Sequence, residues 1–391
     1  MEKLKILNIG TTCTGCGACV NVCPKHCLRL EPDKEGFYMP SFHDECIECG
    51  MCEKVCHIIN AESKREISNK SVSVYKSSDD TIREKSSSGG AFSLFGDYVI
   101  QKGGVVFATL YNPETKRVEV SNTDIFPVQR FRKSKYVESF TGETCSQIRK
   151  ELKNGRNVLF CGTPCQVAGL KRYLEALKID ISNLLTIDFI CHGVPSMKCL
   201  NEFLTYDGRK VVDVDFRYKD FSEMHVGWHD MTYCEYYADG THKVLTSNKL
   251  QYYYYYYPFL ESVLLRKSCY TCNEVNHSSA DITVGDFWSI YKDKTIVDDN
   301  KGVSIVIPHT DKAIKLWCDL NGKGHHKEIP FDIIKTQLTN KINALYKERE
   351  AFFADVSKRG YMTTVRRRYF KKFIESKIKK YGSRIKRLFA Q

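Results

Sequence analysis

Residues 157–195 read NVLFCGTPCQVAGLKRYLEALKIDISNLLTIDFICHGVP, a pattern in which two apolar runs alternate with cysteine-bearing turns. The runs 157–160 and 184–190 have strand character, and segment 166–177 between them places its apolar side chains at helical spacing. A strand, a helix and a strand in this order predict two parallel strands in one sheet. The turns that carry Cys165 and Cys191 then lie at the carboxyl ends of these strands, where open α/β sheets bind their ligands.

The composition is that of a soluble protein with two or three domains. The chain has 391 residues, of which 42% are hydrophobic. Because neither a signal peptide nor a run of 18 apolar residues is visible in the sequence, we expect a cytoplasmic protein. Its 18 cysteines then indicate metal or redox chemistry rather than structural disulfides.

The net charge of +12 is concentrated at the C-terminal end of the chain. Residues 358–391 contain 13 Lys or Arg side chains and one acidic residue, Glu375, so this segment alone carries the whole excess. The rest of the chain is close to neutral, and no nucleic-acid recognition motif accompanies the basic segment. We therefore expect no nucleic-acid partner.

The strongest motif is a run of four cysteines with the spacing Cys-x2-Cys-x2-Cys-x3-Cys, which occurs twice. The cysteines of the two runs are Cys13, Cys16, Cys19 and Cys23, then Cys46, Cys49, Cys52 and Cys56. In such pairs each run gives three thiolates to one 4Fe-4S cluster and its fourth to the other. The spacing therefore assigns Cys56 to the first cluster and Cys23 to the second.

About residues 8–60 resemble bacterial two-cluster ferredoxins, although His57 replaces the usual proline after the second run. Two zinc sites are the alternative, but zinc ligands occur in two pairs rather than in interlocked runs of four. Cys27 lies outside the pattern, and we interpret it as a spare buried thiol.

Three further segments carry candidate site residues. Residues 86–90 form a Ser/Gly-rich turn before a predicted helix, which presents backbone N–H groups to an anion or is only a flexible cap. The basic and aromatic segment 131–137 indicates either a strand edge or a cofactor or substrate contact through Lys135. Cys269 and Cys272 suggest half of a zinc site, a redox dithiol or, with Cys165 and Cys191, a third 4Fe-4S cluster.

The later part of the chain is predicted to be richer in strands, with a hairpin of strands 226–237 and 243–245 around Asp239-Gly240. Half of the six tyrosines at 252–257 are expected to pack and half to face a cleft or solvent.

The C-terminal segment places apolar residues on one helical face with Lys and Arg on the other. These apolar residues are Phe370, Ile374, Ile378, Tyr381, Ile385 and Leu388. Such a helix suits an anionic membrane surface or docks on its own domain or on a partner.

The body motifs together resemble the beta subunit of coenzyme F420 hydrogenases and dehydrogenases over about residues 70–355. The matching stretches are 87–93, 134–137, 161–166, 191–196, 268–272 and 280–288. The chain is most similar to the bacterial branch that has a ferredoxin head and is associated with polysaccharide-synthesis loci. Plant and cyanobacterial reductases of hydroxymethyl chlorophyll and divinyl chlorophyll are similar relatives.

The resemblance implies FAD and a 4Fe-4S cluster in the body of the protein. It implies Cys165, Cys191, Cys269 and Cys272 as ligands of that cluster, with Cys161 as an undecided fifth thiol. It also places the serine turn and the basic segment near the flavin. The cofactor-binding residues implied there are Ser87, Ser88, Gly89, Gly90, Ser134 and Lys135. The sequence has no Gly-x-Gly-x-x-Gly fingerprint at these positions to support a dinucleotide site.

These features predict an α+β or α/β protein in four parts. The parts are a two-cluster ferredoxin domain (1–62), an α/β domain (63–200), a second body domain (201–350) and a basic helical tail (351–391). The predicted function is an oxidoreductase that passes electrons between the clusters, FAD and a small molecule, either a deazaflavin or a glycan-related compound. An electron-transfer adaptor without its own substrate is the alternative.

The predicted partners and location follow from that function. An external ferredoxin or another redox partner would exchange electrons with the head clusters, in a direction set by the potentials. The basic helix would place a cytoplasmic protein at the inner face of the membrane. His192 is predicted to supply a proton or, equally, to orient the turn after the second strand.

Overall fold

The computed structural model describes residues 5–43, 45–61, 65–66, 71–272, 277–338 and 342–388. The helices are α1 Ala18–Val22, α2 Met51–Lys54, α3 Asp80–Glu84, α4 Ala91–Gln101, α5 Thr144–Lys153, α6 Pro164–Ala176, α7 Met197–Thr205, α8 Tyr256–Leu260, α9 Asp311–Leu320, α10 Tyr346–Arg359 and α11 Tyr361–Leu388. The strands are β1 Leu28–Pro32, β2 Tyr38–Phe42, β3 Arg65–Glu66, β4 Val72–Ser77, β5 Val105–Asn112, β6 Arg117–Asn122, β7 Val158–Cys161, β8 Leu184–Phe189, β9 Val211–Tyr218, β10 Thr232–Tyr237, β11 His242–Leu245, β12 His277–Ser278, β13 Ile282–Asp286, β14 Ser304–Pro308 and β15 Gly324–Ile329.

An eight-stranded mixed sheet forms the centre of the body, in the order β15-β4-β14-β13-β8-β7-β5-β6. Strands β5, β7, β8 and β13 are parallel to one another, and the outer strands pair antiparallel. The sequence prediction of two adjacent parallel strands is confirmed by β7 and β8, which pair with Val158 opposite Leu184. Strands before and after residue 200 share this sheet, so the two predicted body domains are interleaved.

Helices cover both faces of the sheet, so its parallel strands are buried as the α/β class requires. On one face α4 and α9 pack their apolar side chains against the sheet, with Phe95 and Trp317 in the core. On the other face α5 and α6 pack through residues such as Ile148 and Leu170. This second core continues into the N-terminal domain, because Ala18 and Val22 of α1 belong to it.

Helix α6 begins with a strong N-terminal signal. Thr163 accepts a hydrogen bond from the Gln166 backbone N–H, and the Gln166 side chain accepts one from the Thr163 N–H. Pro164 occupies the first helical position, where its missing N–H costs nothing. This capping box fixes Cys165 in the first turn, next to the carboxyl end of β7.

The N-terminal domain consists of two short helices and the hairpin β1–β2, in which Leu28 pairs with Phe42. It is docked on the body by polar contacts as well as by the shared core. The Asn21 side chain donates to the Gly142 carbonyl (2.8 Å) and accepts from the Ser146 N–H (3.0 Å). Arg172 of α6 donates to the Lys54 carbonyl (3.1 Å). Because these contacts reach both α1 and α2, the domain is held in one orientation.

A second sheet, β11-β10-β9, packs with α7, α8, α10 and α11 in a core rich in aromatic side chains. The predicted hairpin is present, but residues 226–231 precede β10 as a bridge and a short 3-10 helix rather than a strand. The expectation that half of the tyrosines at 252–257 are exposed is wrong. The first five are buried, since their rings pack on α7, β9 and one another.

The first half of α11 is docked on this aromatic core. Tyr361 donates to the Tyr254 carbonyl (2.6 Å), and Tyr253 bonds to Ser376 (2.9 Å). The docked side is not the predicted apolar face, because Phe370, Ile374 and Ile378 remain 54%, 40% and 65% exposed. The predicted positions 381, 385 and 388 lie in the part of α11 whose side chains the structure does not describe. Among the described residues, no helix combines the length and apolar character needed to cross a bilayer.

Candidate functional site

Three small cavities of the structure are lined by cysteines. The first cavity lies in the N-terminal domain and is lined by Cys13, Cys16, Cys19 and Cys56. The second cavity, in the same domain, is lined by Cys23, Cys46, Cys49 and Cys52, and also by Cys27. Each group contains the four cysteines that the spacing assigns to one cluster. The fourth cysteine of each run therefore lines the cavity that contains the first three cysteines of the other run.

The third cavity lies in the body and is lined by Cys165, Cys191, Cys269 and Cys272. The fold brings these residues together through a bridge between Pro195 and Leu265, which sets the turn after β8 beside the segment that carries the last two cysteines. The Arg266 N–H donates to the Val194 carbonyl (2.9 Å) and fixes this alignment.

Burial favours the protonated form of the thiols in the third cavity unless a metal centre binds them. Burial raises the pKa of the Cys165 thiol to about 11, with a further contribution from the nearby Cys272. Burial likewise raises the pKa of Cys269 to about 12. Without a bound cation these thiols stay protonated at neutral pH, whereas a metal centre deprotonates its cysteine ligands outright. No group of three or more His, Cys, Asp or Glu among the described residues is arranged to hold a single metal ion.

A much larger cavity of about 560 Å³ opens at the carboxyl ends of β7, β8 and β13. Cys161, Phe189 and Asp286, the last residues of these strands, all line it. Its volume lies within the range of ligand pockets, and its position is the one at which open α/β sheets bind ligands. Cys161 lines this large cavity and not the third thiol cavity.

The serine turn and the basic segment form one wall of the large cavity. Ser87, Ser88, Gly90 and Ser134 line it, and the Ser134 N–H donates to the Ser87 hydroxyl (2.7 Å). Gly89 lies behind this wall instead. A Cβ there would come within 2.1 Å of the Tyr75 carbonyl oxygen, so the close approach of the turn to β4 requires glycine.

Lys135 lines the large cavity, but its ammonium bonds to the backbone of its own segment. It donates to the carbonyls of Arg130, Arg132 and Lys133, which accounts for all three of its N–H groups. Burial lowers the pKa of Lys135 to about 8. The side chain therefore pins the loop in place.

Arg132, which sequence reasoning missed, also lines the large cavity. Its Nε is buried and has no hydrogen-bond partner in the described structure. The cavity wall next to it contains the turn that leads into α4, whose N-terminal N–H groups favour an anion. A buried guanidinium N–H without a hydrogen-bond partner, in a cavity whose wall also contains this helix N-terminus, suits a phosphate group. Arg132 stands among several basic residues in this segment, so the sequence alone did not distinguish it from its neighbours.

His192 lies at the boundary between the large cavity and the third cavity, in segment 191–194, which lines both. Its Nε2 is 2.9 Å from the Ser262 hydroxyl, and its ring meets the edge of Phe259. Burial lowers the pKa of His192, so the imidazole is neutral at pH 7. The hydrogen bond to Ser262 accords with the prediction that this side chain orients the turn.

The first, third and large cavities adjoin one another, and Cys19 of the first cavity interacts electrostatically with Cys52 of the second. Thr14 lines both the first and the third cavity, and Thr163 lines both the third and the large cavity. Arg266, which is 3% exposed, joins the N-terminal domain to the body at the first of these boundaries. It donates to the Cys13 carbonyl (2.7 Å) and the Tyr38 carbonyl (2.9 Å) and pairs with Glu138. A buried ion pair with its remaining N–H groups bonded holds the two parts in register.

Comparisons with known proteins agree with this division of the chain. Residues 12–58 match the model of a 4Fe-4S dicluster domain. Residues 155–332 match the family model that describes the C-terminal part of the beta subunit of coenzyme F420 hydrogenase/dehydrogenase. The chain therefore combines a 4Fe-4S dicluster domain with a domain of the F420 hydrogenase/dehydrogenase beta-subunit family.

The beta-subunit domain contains all four cysteines of the third cavity and the strand ends that line the large one. The dicluster domain is also 44% identical over 41 residues to an uncharacterized ferredoxin of Methanocaldococcus jannaschii. The match spans 10% of this chain and 61% of the length of that relative. The dicluster match supports two 4Fe-4S clusters in the N-terminal domain.

One chain of a solved structure, the xenon-derivatised F420-reducing NiFe hydrogenase complex of Methanosarcina barkeri, is similar at 16% identity with a TM-score of 0.46. That similarity covers 74% of this chain and 95% of the other. The family matches make the chain an iron-sulfur protein of the electron-transfer and oxidoreductase type, related to the hydrogenase beta subunit.

Proposed function

We propose that the chain is an iron-sulfur flavoprotein oxidoreductase with a third 4Fe-4S cluster and FAD in its beta-subunit domain. The observation that supports this most is that the first thiol cavity shares Thr14 with the third, and the third shares Thr163 with the large cavity. The second thiol cavity lies in the same domain as the first. When bound, clusters transfer single electrons and a flavin handles two, so the set would link one-electron to two-electron chemistry.

The chain's own residues would hold, orient and shield these groups. Cys165, Cys191, Cys269 and Cys272 would hold the third cluster in a buried site. The turn at Ser87–Gly90 and the Arg132 guanidinium would bind the flavin phosphates. His192, at the boundary between the two sites, would exclude water from it and is the proposed carrier of a proton.

The rim of the large cavity supports a planar substrate. Trp288 is 36% exposed there, stacks on Trp228 with ring centroids 4.8 Å apart and lies under the Arg217 guanidinium. Because Trp228 and Arg217 occupy the faces of this indole, its exposed edge suits an edge-to-face contact with an aromatic heterocycle, as in a deazaflavin. A glycan-related substrate rests on the resemblance to the polysaccharide-associated branch alone.

We propose that a ferredoxin or another redox partner exchanges electrons at the second thiol cavity. Cys49, one of the cysteines that line it, is exposed, and the neighbouring Ile47 is 56% exposed. A partner can therefore approach the second cavity closely. The direction of electron flow follows from the potentials of the partner and the substrate.

The test is reduction followed by substrate-dependent reoxidation. Anaerobically purified protein, reduced with dithionite and freed of excess reductant, is mixed with a deazaflavin, and the flavin and cluster absorbance is followed. The enzyme predicts reoxidation by the deazaflavin at a rate that depends on its concentration. Cluster absorbance without flavin, and reoxidation by an added ferredoxin alone, would favour the adaptor instead.

We further propose that α11 brings a cytoplasmic protein to the inner face of the membrane. The exposed stripe of Phe370, Ile374 and Ile378 lies on the segment that carries the whole net charge of +12. The apolar side chains can enter the interface of a bilayer, and the flanking lysines and arginines are attracted to its anionic headgroups.

A further inference from the structure

The second thiol cavity contains one cysteine more than a cluster needs. Cys23, Cys46, Cys49 and Cys52 line it together with Cys27. The first and third cavities are each lined by four of the described cysteines. A 4Fe-4S cluster takes four thiolates, so the second site has a surplus donor.

Cys27 is close to two of the predicted ligands. Its Sγ lies 3.4 Å from the Sγ of Cys23, and it also interacts with the Cys46 thiol. Cys27 and Cys23 are both buried, with exposed fractions of 2% and 9%. A buried thiol at this distance from a ligand is placed where a small rotation of its side chain can bring it to the same iron.

The two thiols reach the cavity from different elements. Cys23 follows the last turn of α1, and Cys27 immediately precedes β1. The Cys27 carbonyl accepts a hydrogen bond from the His43 N–H (3.0 Å), which anchors it to the hairpin rather than to the helix. This anchor does not involve Cys23, so it remains when the Cys23 thiol is removed.

We propose that Cys27 is an alternative fourth ligand of the second head cluster, so that either Cys23 or Cys27 completes it. The proposal rests on the dicluster domain and is independent of the third cluster and of FAD. It makes the cluster nearest the surface tolerant to the loss of one ligand.

The internal repeat of the domain supplies a matched control. Cys56 is the counterpart of Cys23 in the second run, and the position four residues after it is Asn60 rather than cysteine. The Asn60 side chain is occupied with the Glu53 and Cys56 carbonyls at 2.6 and 3.0 Å. The first cluster therefore has no surplus thiol at the corresponding position, and no fifth cysteine of the described chain lines its cavity.

The experiment compares Cys23→Ala, Cys27→Ala, the double variant and Cys56→Ala in the full chain after anaerobic purification. Iron and sulfide per chain and the electron paramagnetic resonance spectrum of the reduced protein are measured. We expect each single change at 23 or 27 to retain the iron content of the unmodified protein. The double variant and Cys56→Ala should each lose about four iron atoms.

The proposal is overturned if Cys23→Ala loses about four irons while its circular dichroism matches the unmodified protein. Loss of one iron with a 3Fe-4S signal would overturn it equally, because Cys27 would then have left a corner of the cluster without a thiolate. If the alanine variants do not fold, the serine variants at the same positions give the same comparison. There, retention in Cys23→Ser and loss in the double variant identify Cys27 as the ligand.

Discussion

Single side chains decide which chemistry the cavities can support, and the sequence identified some of these side chains but not others. The cysteine spacing grouped the eight head thiols as they line the first two cavities, because ligand spacing is a local property of the chain. Lys135 was singled out from a local pattern too, yet its ammonium bonds to three carbonyls. Arg132, in the same basic segment, is the guanidinium whose Nε lacks a partner in the described structure at the cavity wall.

Arg132→Gln is expected to weaken flavin binding by about tenfold to a hundredfold, since a charge-assisted hydrogen bond contributes about 1.5–3 kcal/mol. Flavin retained per chain and FAD binding to the deflavinated protein measure this effect. Arg209→Gln is the matched control, because that guanidinium lies over the Tyr237 ring at the distant hairpin. Equal flavin affinity in the two variants would contradict the phosphate site.

Cys165→Ser is expected to remove about four iron atoms per chain and to leave the two head clusters in place. Cys161→Ser should retain the full iron content, because Cys161 lines the large cavity and not the third thiol cavity. Iron analysis and spectra of the reduced protein distinguish the two variants. An unchanged iron content in Cys165→Ser would rule out the body cluster as assigned.

At the scale of elements, the βαβ unit was predictable and its surroundings were not. The apolar periods of β7, α6 and β8 and the Thr163–Gln166 capping box are local signals, and the observed bounds differ from 157–160, 166–177 and 184–190 by one or two residues. The tyrosine run gave no such signal, because its burial depends on contacts with α7 and β9. The docked face of α11 was missed for the same reason.

Gly169 of α6 offers a test of how closely the helix meets the dicluster domain. A Cβ there would lie 2.6 Å from the Cys16 sulfur, so Gly169→Ala is expected to destabilise the protein by about 1–3 kcal/mol and to lower iron retention. Gly96→Ala in α4, where the nearest atom is 3.6 Å away, should be neutral or slightly stabilising. Anaerobic thermal unfolding and iron content compare the pair, and equal behaviour would contradict the packing.

Helix α11 is expected to bind vesicles that contain phosphatidylglycerol and not vesicles of phosphatidylcholine alone. Replacing Phe370, Ile374 and Ile378 by serine should weaken binding about tenfold or more, because the apolar stripe is lost, and added salt should weaken it further. Ile314→Ser on α9 removes a similarly exposed side chain and serves as the control. Binding is measured as the fraction of protein that sediments with the vesicles. An equal fraction for the unmodified protein, the triple variant and Ile314→Ser would argue against binding at a membrane surface.

At the scale of the whole molecule, the relation between the dicluster domain and the body could not be predicted. Arg266 and Cys13 are 253 residues apart in sequence, yet one hydrogen bond of 2.7 Å joins them between the first and third cavities. The interleaving of strands from both sides of residue 200 in one sheet is equally non-local. Domain identities were readable from motifs, whereas the adjacency of the first and third cavities arises only from the docked arrangement.

The central claim is that three clusters and a flavin occupy these four cavities. Its most direct test is the iron and flavin content per chain after strictly anaerobic purification. The account predicts about 12 iron atoms and one FAD per chain. About 8 iron atoms without flavin would contradict it and leave a two-cluster electron carrier.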